Sequence, residues 1–376
     1  MKIGTITFHA PNNNGSFLQA YALQNILIDE CHVENEIIDF YSEQQARQYS
    51  VFRKPRSVGD IGRNLISVAH YAGLSKRHQR FDAMRKQHLI LSRRCTMEKE
   101  VYDLVSKYDL IVCGSDQIWN TGARDYSDVY FMAGGVQNRK ISYAASFGSH
   151  IENVDLDKVR KNIAEFSNIS VREKAGKELL HSISPDKEVQ IVCDPTLLLD
   201  KNRYDLLIQK EKVIPEPYIF LYTINYNEEV LTVAQKLSNE LGLPAYAAFT
   251  GYSCVKCKKY GIKVLYDVGP EEFLWLIKHA AYTCSNSFHG IAFSVIFEKQ
   301  FCRPTSVDIN GNLSIDDRID GFLGQIGLDE RNVCVNDACT EMIQKSIDYN
   351  KVNEKLNAIR ENGIGYLKTA LFQSEE

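Results

Sequence analysis

The sequence predicts an α/β protein made of two Rossmann-like domains in tandem. The chain has 376 residues, and domains commonly contain about 100–200 residues, which gives two domains. Apolar residues make up 44% and charged residues 24%, a globular composition that excludes disordered, collagen-like and coiled-coil proteins. Short apolar strands alternate with amphipathic helices in two successive series, which are separated near residues 194–200.

The first series begins with a strand at residues 2–8, followed by a helix over 16–29 and a strand over 35–41. This strand–helix–strand run predicts a right-handed βαβ unit. The remaining elements are strands within 108–120, 140–149, 168–176 and 189–199 and a helix within 155–166. Strands that alternate with helices form a mostly parallel sheet, whose ligands bind at its carboxyl edge.

The second series begins after Pro217 and includes a helix over 227–242 that Gly242 ends. Its strands are predicted at 218–224, 244–249, 262–267, 281–285 and, as the last, 299–304, with helices at 270–280 and 288–298. A long helix or helix pair is predicted over 340–372. These patterns place an N-terminal domain at 1–198, a C-terminal domain at 199–345 and a C-terminal helix at 346–376. The gap between the two domains is expected to hold the ligand.

The segment 43–108, assigned to the N-terminal domain, is mainly helical and polar. Between Arg53 and Arg94 it has eleven Lys and Arg residues against two acids, whereas the whole chain has a formal net charge of −4. One interpretation is a solvated helical face. The other is a surface that meets an anionic membrane or a diphosphate. The whole chain has no global cationic field, which argues against nucleic-acid binding.

The N-terminal residues show no signal-peptide pattern, and no window approaches the ~18 apolar residues that a membrane-spanning helix needs. We therefore expect a cytoplasmic protein whose ten cysteines are reduced rather than paired in disulfides. Cys254 and Cys257 form a lone CxxC without a second pair or nearby histidines. We expect no metal, because such sites need four ligands.

The turn after the third predicted strand carries Ser115, Asp116 and Trp119. This set is typical of sugar recognition, because carboxylates accept hydrogen bonds from hydroxyls and indoles stack on C–H faces. Asp116 is also a candidate general base for a hydroxyl nucleophile, and the alternative is an aspartate that caps a helix. The turn around Asn14 and Gln19 is too sparse in glycine for a nucleotide motif, but both side chains are candidates to face the ligand.

A second candidate region lies where a predicted strand ends and a helix begins. Free amide groups and the dipole at a helix start suit an anion, and the candidate binding residues are Ser285, Asn286, Ser287 and Gly290. His289, in the first turn, would clamp a phosphate and supply a proton. Arg172, at a strand's carboxyl end, would hold a carboxylate or phosphate through two parallel hydrogen bonds. The alternatives are helix capping by the serines and asparagine, simple packing of His289, and a salt bridge from Arg172 to Glu173 or a remote acid.

In chain order, the segments NNGSFLQAYALQ, GSDQIWN, SYAASFG, SVREKAG, DPTLLL and SFHGIAFSVIF closely resemble the polysaccharide pyruvyl transferase family. The resemblance spans residues 1 to about 305, and it depends on the order and spacing of the segments together. Many members carry an arginine two residues before the C-terminal histidine, where this chain has Ser287. The resemblance therefore implies that Arg172, Ser287 and main-chain amides share the binding of the donor.

The resemblance implies a fold similar to the GT-B glycosyltransferase architecture, with two Rossmann-like domains facing across a cleft. It implies an enzyme that takes phosphoenolpyruvate as co-substrate, needs no separate cofactor and builds a pyruvate ketal on a sugar. His289 would be phosphate clamp and general acid, Arg172 would hold the donor, and Asp116 would orient or deprotonate the acceptor hydroxyl. The implied acceptor is a lipid-linked hexose of a capsule or exopolysaccharide repeat, so that the basic segment would face the inner membrane leaflet.

Three other functions fit parts of the sequence. The nearest is a nucleotide-sugar glycosyltransferase of similar fold, although the acids of the second half form no decisive ribose-binding pattern. A non-enzymatic binding module shares the two-lobed architecture, and the lack of a signal sequence argues against a secreted one. A thiol enzyme would depend on Cys254 or Cys257, for which no histidine partner is identifiable.

Overall fold

The computed structural model describes residues 1–148, 151–209, 214, 217–305, 316–334 and 345–373. The chain forms two compact units, each built on a parallel six-stranded sheet. The prediction of an α/β protein with two Rossmann-like domains is therefore confirmed. Three parts of the chain lie outside the described residues: Cys339, the start of the helical region predicted over 340–372 (residues 340–344), and the end of the C-terminal helix predicted over 346–376 (residues 374–376).

The helices and strands follow the predicted alternation closely. The helices are α1 (Asn14–Asp29), α2 (Glu43–Tyr49), α3 (Val58–Ala69), α4 (Tyr71–His88), α5 (Glu98–Val105), α6 (Leu156–Ile163), α7 (Lys174–Ile183), α8 (Lys201–Asp205), α9 (Glu228–Leu241), α10 (Pro270–His279), α11 (Phe288–Ile296), α12 (Asp317–Ile326) and α13 (Tyr349–Phe372). The strands are β1 (Lys2–Ile6), β2 (Glu34–Ile37), β3 (Leu110–Cys113), β4 (Arg139–Ser142), β5 (Phe166–Val171), β6 (Val189–Ile191), β7 (Ile219–Tyr222), β8 (Ala245–Ala248), β9 (Lys263–Leu265), β10 (Tyr282–Ser285), β11 (Phe301–Thr305) and β12 (Asn332–Cys334).

The first unit contains the sheet with strand order β2-β1-β3-β4-β5-β6, and the second contains the order β12-β11-β10-β7-β8-β9. Central strands such as β3, with sequence LIVC, and β7, with sequence IFLY, are buried throughout. Parallel strands covered on both faces are continuous apolar runs, which is why the sequence reveals them.

The prediction that residues 299–304 form the last strand is wrong. The strand β12 pairs in parallel with β11, with Pro304 opposite Val333. It has three residues, of which Val333 alone is fully buried. A strand this short carries no periodic apolar pattern, so the sequence does not indicate it.

The chain passes from the first unit to the second between Leu199 and Asp200, but residues 51–84 also belong to the second unit. The sequence-based boundaries keep that segment with the first domain. Tertiary contacts attach it to the second unit: the Ser67 hydroxyl lies 2.9 Å from the hydroxyl of Tyr252. Such long-range contacts leave no local sequence signal. Helix α13 contributes residues to both units.

Acids distant in sequence neutralise part of the charge of the basic segment. Arg80 lies 2.9 Å from Asp267 and 2.9 Å from Glu272, and Arg94 lies 3.0 Å from Asp39. A count over a local window therefore overstates the cationic surface.

The buried thiols of Cys254 and Cys257 lie in a 3-10 helix, Tyr252–Tyr260. Burial raises their pKa values to about 11 and about 12, so both are protonated at neutral pH. Among the described residues, no group of His, Cys, Asp or Glu is arranged to hold a metal ion. No helix in the described part of the chain combines the length and apolar character needed to cross a bilayer.

Candidate active site

Strand order marks one position in each sheet as the place where ligands bind. In the first unit, β2 lies on one side of β1 and β3 on the other, so the chain reverses direction across the sheet between β1 and β3. In the second unit, the same reversal falls between β7 and β10. Open α/β sheets bind ligands outside the carboxyl ends of the strands at such switch points. The predicted residues Asp116 and His289 follow β3 and β10.

A buried hydrogen-bond network fixes the switch point of the first unit. The amide nitrogen of Gln19 donates to Thr7 Oγ1 at 2.9 Å and to the carbonyl of Phe8 at 2.8 Å, and its oxygen accepts from Ser115 N at 3.3 Å. The hydroxyl of Ser115 donates to the carbonyl of Ala144 at 2.9 Å. Gln19 and Ser115 are fully buried. Both were predicted to face substrate, and the structure instead places them as residues that position the turn.

Asp116 follows that network and is held by two donors. Its carboxylate accepts from Ser16 Oγ at 2.8 Å and from Gln117 N at 2.9 Å, and its φ of 72° lies in the left-handed region that favours glycine. A non-glycine residue there costs of order 1–3 kcal/mol, and such strain clusters at functional sites. The nearby Gly114 also has a positive φ, and a Cβ there would lie 2.1 Å from the carbonyl oxygen of Tyr143.

Asn14 begins helix α1 beside the same switch point. The helix is capped by Asn13, whose side chain accepts from Gly15 N at 2.9 Å. Asn14 is 3% exposed, and within the described residues its side-chain oxygen has no hydrogen-bond partner. A buried amide with an unused acceptor is a group that a bound hydroxyl can satisfy, so the prediction that Asn14 contacts substrate stays open.

The structure corrects the predicted role of Trp119. Its ring is fully buried and stacks on Phe131 with ring centroids 4.9 Å apart, while its indole N–H donates to the carbonyl of Tyr130 at 3.4 Å. A ring with no exposed face does not stack on a sugar. Trp119 is a core residue, because the turn after Asp116 returns the chain to the interior.

A second carboxylate, Asp125, interacts with Asp116, and no sequence pattern indicates it. The hydroxyl of Tyr49 donates to Asp125 at 3.5 Å. Burial raises the pKa of the Asp125 carboxyl, and the negative charge of Asp116 raises it further. Burial also raises the pKa of Tyr49, and both carboxylates add to that shift. These groups form one electrostatic cluster, which no local motif indicates because Tyr49 lies far away in the chain.

Arg172 occupies the carboxyl end of β5, as predicted, but its side chain is 3% exposed. Its guanidinium donates to Asp194 at 2.7 Å and lies 3.6 Å from Glu173. Burial lowers the pKa of Arg172, but the charges of Asp194, Glu173 and Asp116 outweigh that effect and raise it. The structure therefore shows the salt-bridge alternative for Arg172. Its guanidinium also interacts electrostatically with the carboxylate of Asp116.

The switch point of the second unit is built from hydroxyl and amide groups. The hydroxyl of Thr223, after β7, donates to Asn286 Oδ1, after β10, at 2.6 Å. The hydroxyl of Ser285 donates to the carbonyl of Tyr222 and accepts from Ser287 N at 3.1 Å. Ser285 is 2% exposed, so its predicted binding role becomes one of fixing the turn. Half-buried Asn286 lines a cavity of about 130 Å³ with Arg303, Thr305 and Asp316 among its other walls.

His289 lies half-buried in the first turn of α11. Ser287 is the residue before that helix, and its side chain does not cap the helix. The predicted capping alternative for Ser287 is therefore wrong. Gly290 allows the turn to pack closely, because a Cβ there would lie 2.1 Å from Ser285 Oγ. These contacts place a histidine beside the amide groups of a helix start, an arrangement suited to an anion.

Solved structures with the same fold include UDP-N-acetylglucosamine 2-epimerases. The enzyme from Neisseria meningitidis bound to UDP-GlcNAc has a TM-score of 0.53 and 9% identity, covering 100% of both chains. A putative epimerase from Listeria monocytogenes has a TM-score of 0.53 and 10% identity, covering 100% of this chain and 97% of that one. At such low identity the similarity shows the fold alone, which is GT-B-like, as the sequence resemblance implied.

Among curated proteins, no sequence matches the chain significantly. The family model for polysaccharide pyruvyl transferases matches residues 13–303. That range covers most of the chain and contains the start of α1 and the two turns that carry Asp116 and His289. The resemblance seen in the sequence segments is thereby confirmed, and the chain belongs to the polysaccharide pyruvyl transferase family.

Proposed function

We propose that the protein transfers the enolpyruvyl group of phosphoenolpyruvate to a sugar and closes it into a cyclic pyruvate ketal, without a metal or separate cofactor. The observation that carries the proposal is the family match over residues 13–303. Two features support it. The first unit has a strained, hydrogen-bonded carboxylate at its switch point, and the second has a histidine at a helix start.

In the proposed donor step, protonated His289 gives its proton to the CH2 carbon of phosphoenolpyruvate. Positive charge then develops at C2, and the amide groups at the start of α11 stabilise the phosphate. Ser287 N is engaged with Ser285 Oγ, which fixes the turn before those amides. Asn286 and Ser287 would supply the polar contacts for which many family members use an arginine.

In the proposed acceptor step, a sugar hydroxyl attacks C2 while Asp116 accepts its proton. The C2–O bond to phosphate then breaks, and a second hydroxyl of the same sugar closes the ring. The two hydroxyl protons balance the reaction, since one replaces the proton now on the methyl carbon and the other leaves on phosphate. Ser16, which donates to Asp116 at 2.8 Å, orients the base. Asn14 would bind the acceptor.

We propose a role for Arg172 that differs from direct binding of the donor. Its guanidinium is engaged with Asp194, so we propose that it acts on the donor or acceptor through its charge and through the turn that it stabilises. Glu173 supports the same turn by accepting from Ser146 Oγ at 2.8 Å and from Phe147 N at 3.0 Å. Arg172 is thus a positioning residue rather than the direct carboxylate clamp that the sequence suggested.

We further propose that the acceptor is a hexose in a lipid-linked repeat unit of a capsule or exopolysaccharide, modified at the cytoplasmic face of the membrane. The resemblance to the family supports this substrate class. The reaction requires two hydroxyl groups close enough on one sugar to be bridged by a single carbon.

The test is release of inorganic phosphate from phosphoenolpyruvate in the presence of nitrophenyl and lipid-linked hexoses. We expect release that depends on the sugar, with a product heavier by one pyruvate less one water. No phosphate release with any hexose, together with no change in thermal stability on adding phosphoenolpyruvate, would contradict the proposal.

A thermal-shift comparison distinguishes the proposed pyruvyl transfer from the alternative, a glycosyltransferase that uses a nucleotide sugar. A ligand that binds the folded state raises the melting temperature in proportion to the logarithm of its concentration over its Kd. We expect stabilisation by phosphoenolpyruvate and none by UDP. Stabilisation by UDP alone would favour the glycosyltransferase.

A further inference from the structure

Helix α3 presents an apolar stripe to solvent. The stripe consists of residues spaced by three, four and three positions, which fall on one face of a helix. They are Val58, Ile61, Leu65 and Val68, which are 85%, 51%, 67% and 65% exposed. Four neighbouring large apolar side chains this exposed mark an interaction surface rather than isolated surface residues.

The opposite face of α3 is polar and packs on the second unit. The hydroxyl of Ser67 is buried and donates to the carbonyl of Val51 at 2.7 Å. Asn64 bonds to both main-chain groups of Arg53, at 3.0 and 2.8 Å. Asp60 is 9% exposed. The helix is therefore inverted relative to an ordinary surface helix, because its acid, amide and buried serine face the protein, whereas four of its five large apolar residues face solvent.

Aromatic and cationic residues extend this surface at both ends. Phe52 and Tyr71 are 46% and 53% exposed and stack with ring centroids 5.8 Å apart. Lys54 and Arg56, just before the helix, are exposed, and the one acid of residues 51–69, Asp60, lies 3.8 Å from Arg53 instead. The single acid of α3, Asp60, is turned to the buried face. The exposed surface thus combines apolar, aromatic and positively charged groups without a negative one.

We propose that α3 docks the protein on an anionic membrane surface, with the helix in the plane of the interface and its stripe among the acyl chains. An apolar face with aromatic residues and flanking cations is the pattern of interfacial helices, and cations next to the helix match the charge of anionic headgroups. A second copy docked symmetrically through this same surface would bring further cations to a surface that offers no acid. The proposal goes beyond the transfer reaction and does not depend on it.

The first test is flotation of the full-length protein with vesicles of phosphatidylcholine alone or mixed with phosphatidylglycerol. We expect recovery with the anionic vesicles, and at least tenfold weaker binding after Ile61→Asp with Leu65→Asp. The matched control is Leu206→Asp, at a position 68% exposed elsewhere in the second unit, which should bind like the wild type. Equal recovery of wild type and the stripe variant would overturn the proposal.

The charge contribution is tested with Lys54→Ala and Arg56→Ala. We expect each to weaken binding to the anionic vesicles by about fivefold, with the difference reduced at high salt. Binding that is equal for neutral and anionic vesicles would contradict the part of the proposal that assigns these cations to headgroups.

Insertion of the stripe is tested by Leu65→Trp, because both native tryptophans, Trp119 and Trp275, are buried at 0% and 6% exposure. We expect a blue shift on adding anionic vesicles and quenching by brominated lipid, and neither for Leu206→Trp. Sedimentation of the protein without lipid tests whether a second copy of the chain covers this surface instead. A dimer that forms as concentration rises and that Leu65→Asp dissociates would overturn the membrane proposal in favour of self-association.

Discussion

The switch points of the two units have opposite chemistry. In the first, the carboxylate of Asp116 is held by two donors, and two further carboxylates, Asp194 and Glu173, lie buried around Arg172. In the second, Thr223 after β7 donates a hydrogen bond to Asn286 after the neighbouring strand β10, close in the chain to His289. One sheet edge therefore gathers three carboxylates beside a single arginine, whereas the other has hydroxyl and amide groups, a helix start and a histidine.

Under the proposed function, this difference assigns the acceptor to one sheet edge and the donor to the other. A fixed carboxylate suits the removal of a hydroxyl proton, and it repels a phosphorylated, carboxylated donor. Helix amides beside a histidine suit an anion. The predictions below test whether the acid-rich edge of the first sheet serves the acceptor and the edge with His289 serves the donor.

The largest effect is expected at the acid-rich edge. Asp116→Asn retains the shape and the acceptor oxygen for Ser16 but removes the base, so kcat should fall by about 10²–10⁴. The apparent KM for phosphoenolpyruvate should change little, because Asp116 is assigned to the acceptor. Steady-state kinetics with the sugar found above measure both. Ser16→Ala, which removes one donor to the carboxylate, should lower kcat less. An Asp116→Asn variant with wild-type kcat would reject Asp116 as the base.

The next effect is expected at the edge with His289. His289→Ala should lower kcat/KM for phosphoenolpyruvate by about 10²–10³, the usual result of removing one electrostatic group from an active site. His279→Ala is the matched control, because that histidine is also half-buried in the second unit, where it stacks on Trp275 at 4.2 Å. Equal losses in both variants would attribute the effect to folding rather than to donor binding.

A smaller, structural effect separates the turn from its chemistry. Gly290→Ala places a Cβ 2.1 Å from Ser285 Oγ, so the turn must move and the free energy of unfolding should fall by about 1–3 kcal/mol. Denaturant unfolding measures this. Gly321→Ala lies in a helix, with no other described part of the chain within 4 Å of the new Cβ, and should stabilise the protein by about 1 kcal/mol. If both variants were equally stable, the close approach of Ser285 and Gly290 would have no energetic consequence.

The sequence predicts some features of the two edges and not others. It predicts the two sheets because buried parallel strands are apolar runs, and it predicts Asp116 and His289 because each follows such a run. It does not distinguish residues that face a ligand from residues that face inwards. Gln19, Ser115 and Trp119 lie close to Asn14 and Asp116 in the sequence, but the contacts that fix them are tertiary. Gln19 bonds to Ser115, 96 positions away, and Trp119 stacks on Phe131.

Features that depend on pairing across the chain were missed for the same reason. Nothing beside Arg172 in sequence indicates Asp194 as its partner at 2.7 Å. Nothing beside Asp116 indicates that Tyr49 and Asp125 belong to its electrostatic cluster. Charge and chemistry can be read from a local window, whereas burial and partners are set by the tertiary fold.

The smallest effect concerns the Asp116–Asp125 pair. The folded-state pKa of Asp125 is raised, first by burial and then by the charge of Asp116, so its ionised form is penalised in the folded protein. That penalty appears as pH rises through the ordinary carboxyl pKa and is complete above the raised one.

Asp125→Asn should therefore raise the melting temperature at neutral pH by about 2–4 °C, the equivalent of roughly 1 kcal/mol. Because both forms are neutral in acid, the gain should vanish there. Melting curves across pH for this variant, with exposed Asp157→Asn as control, measure it. A gain independent of pH would mean that packing, rather than the charge of Asp116, sets the difference between the two edges.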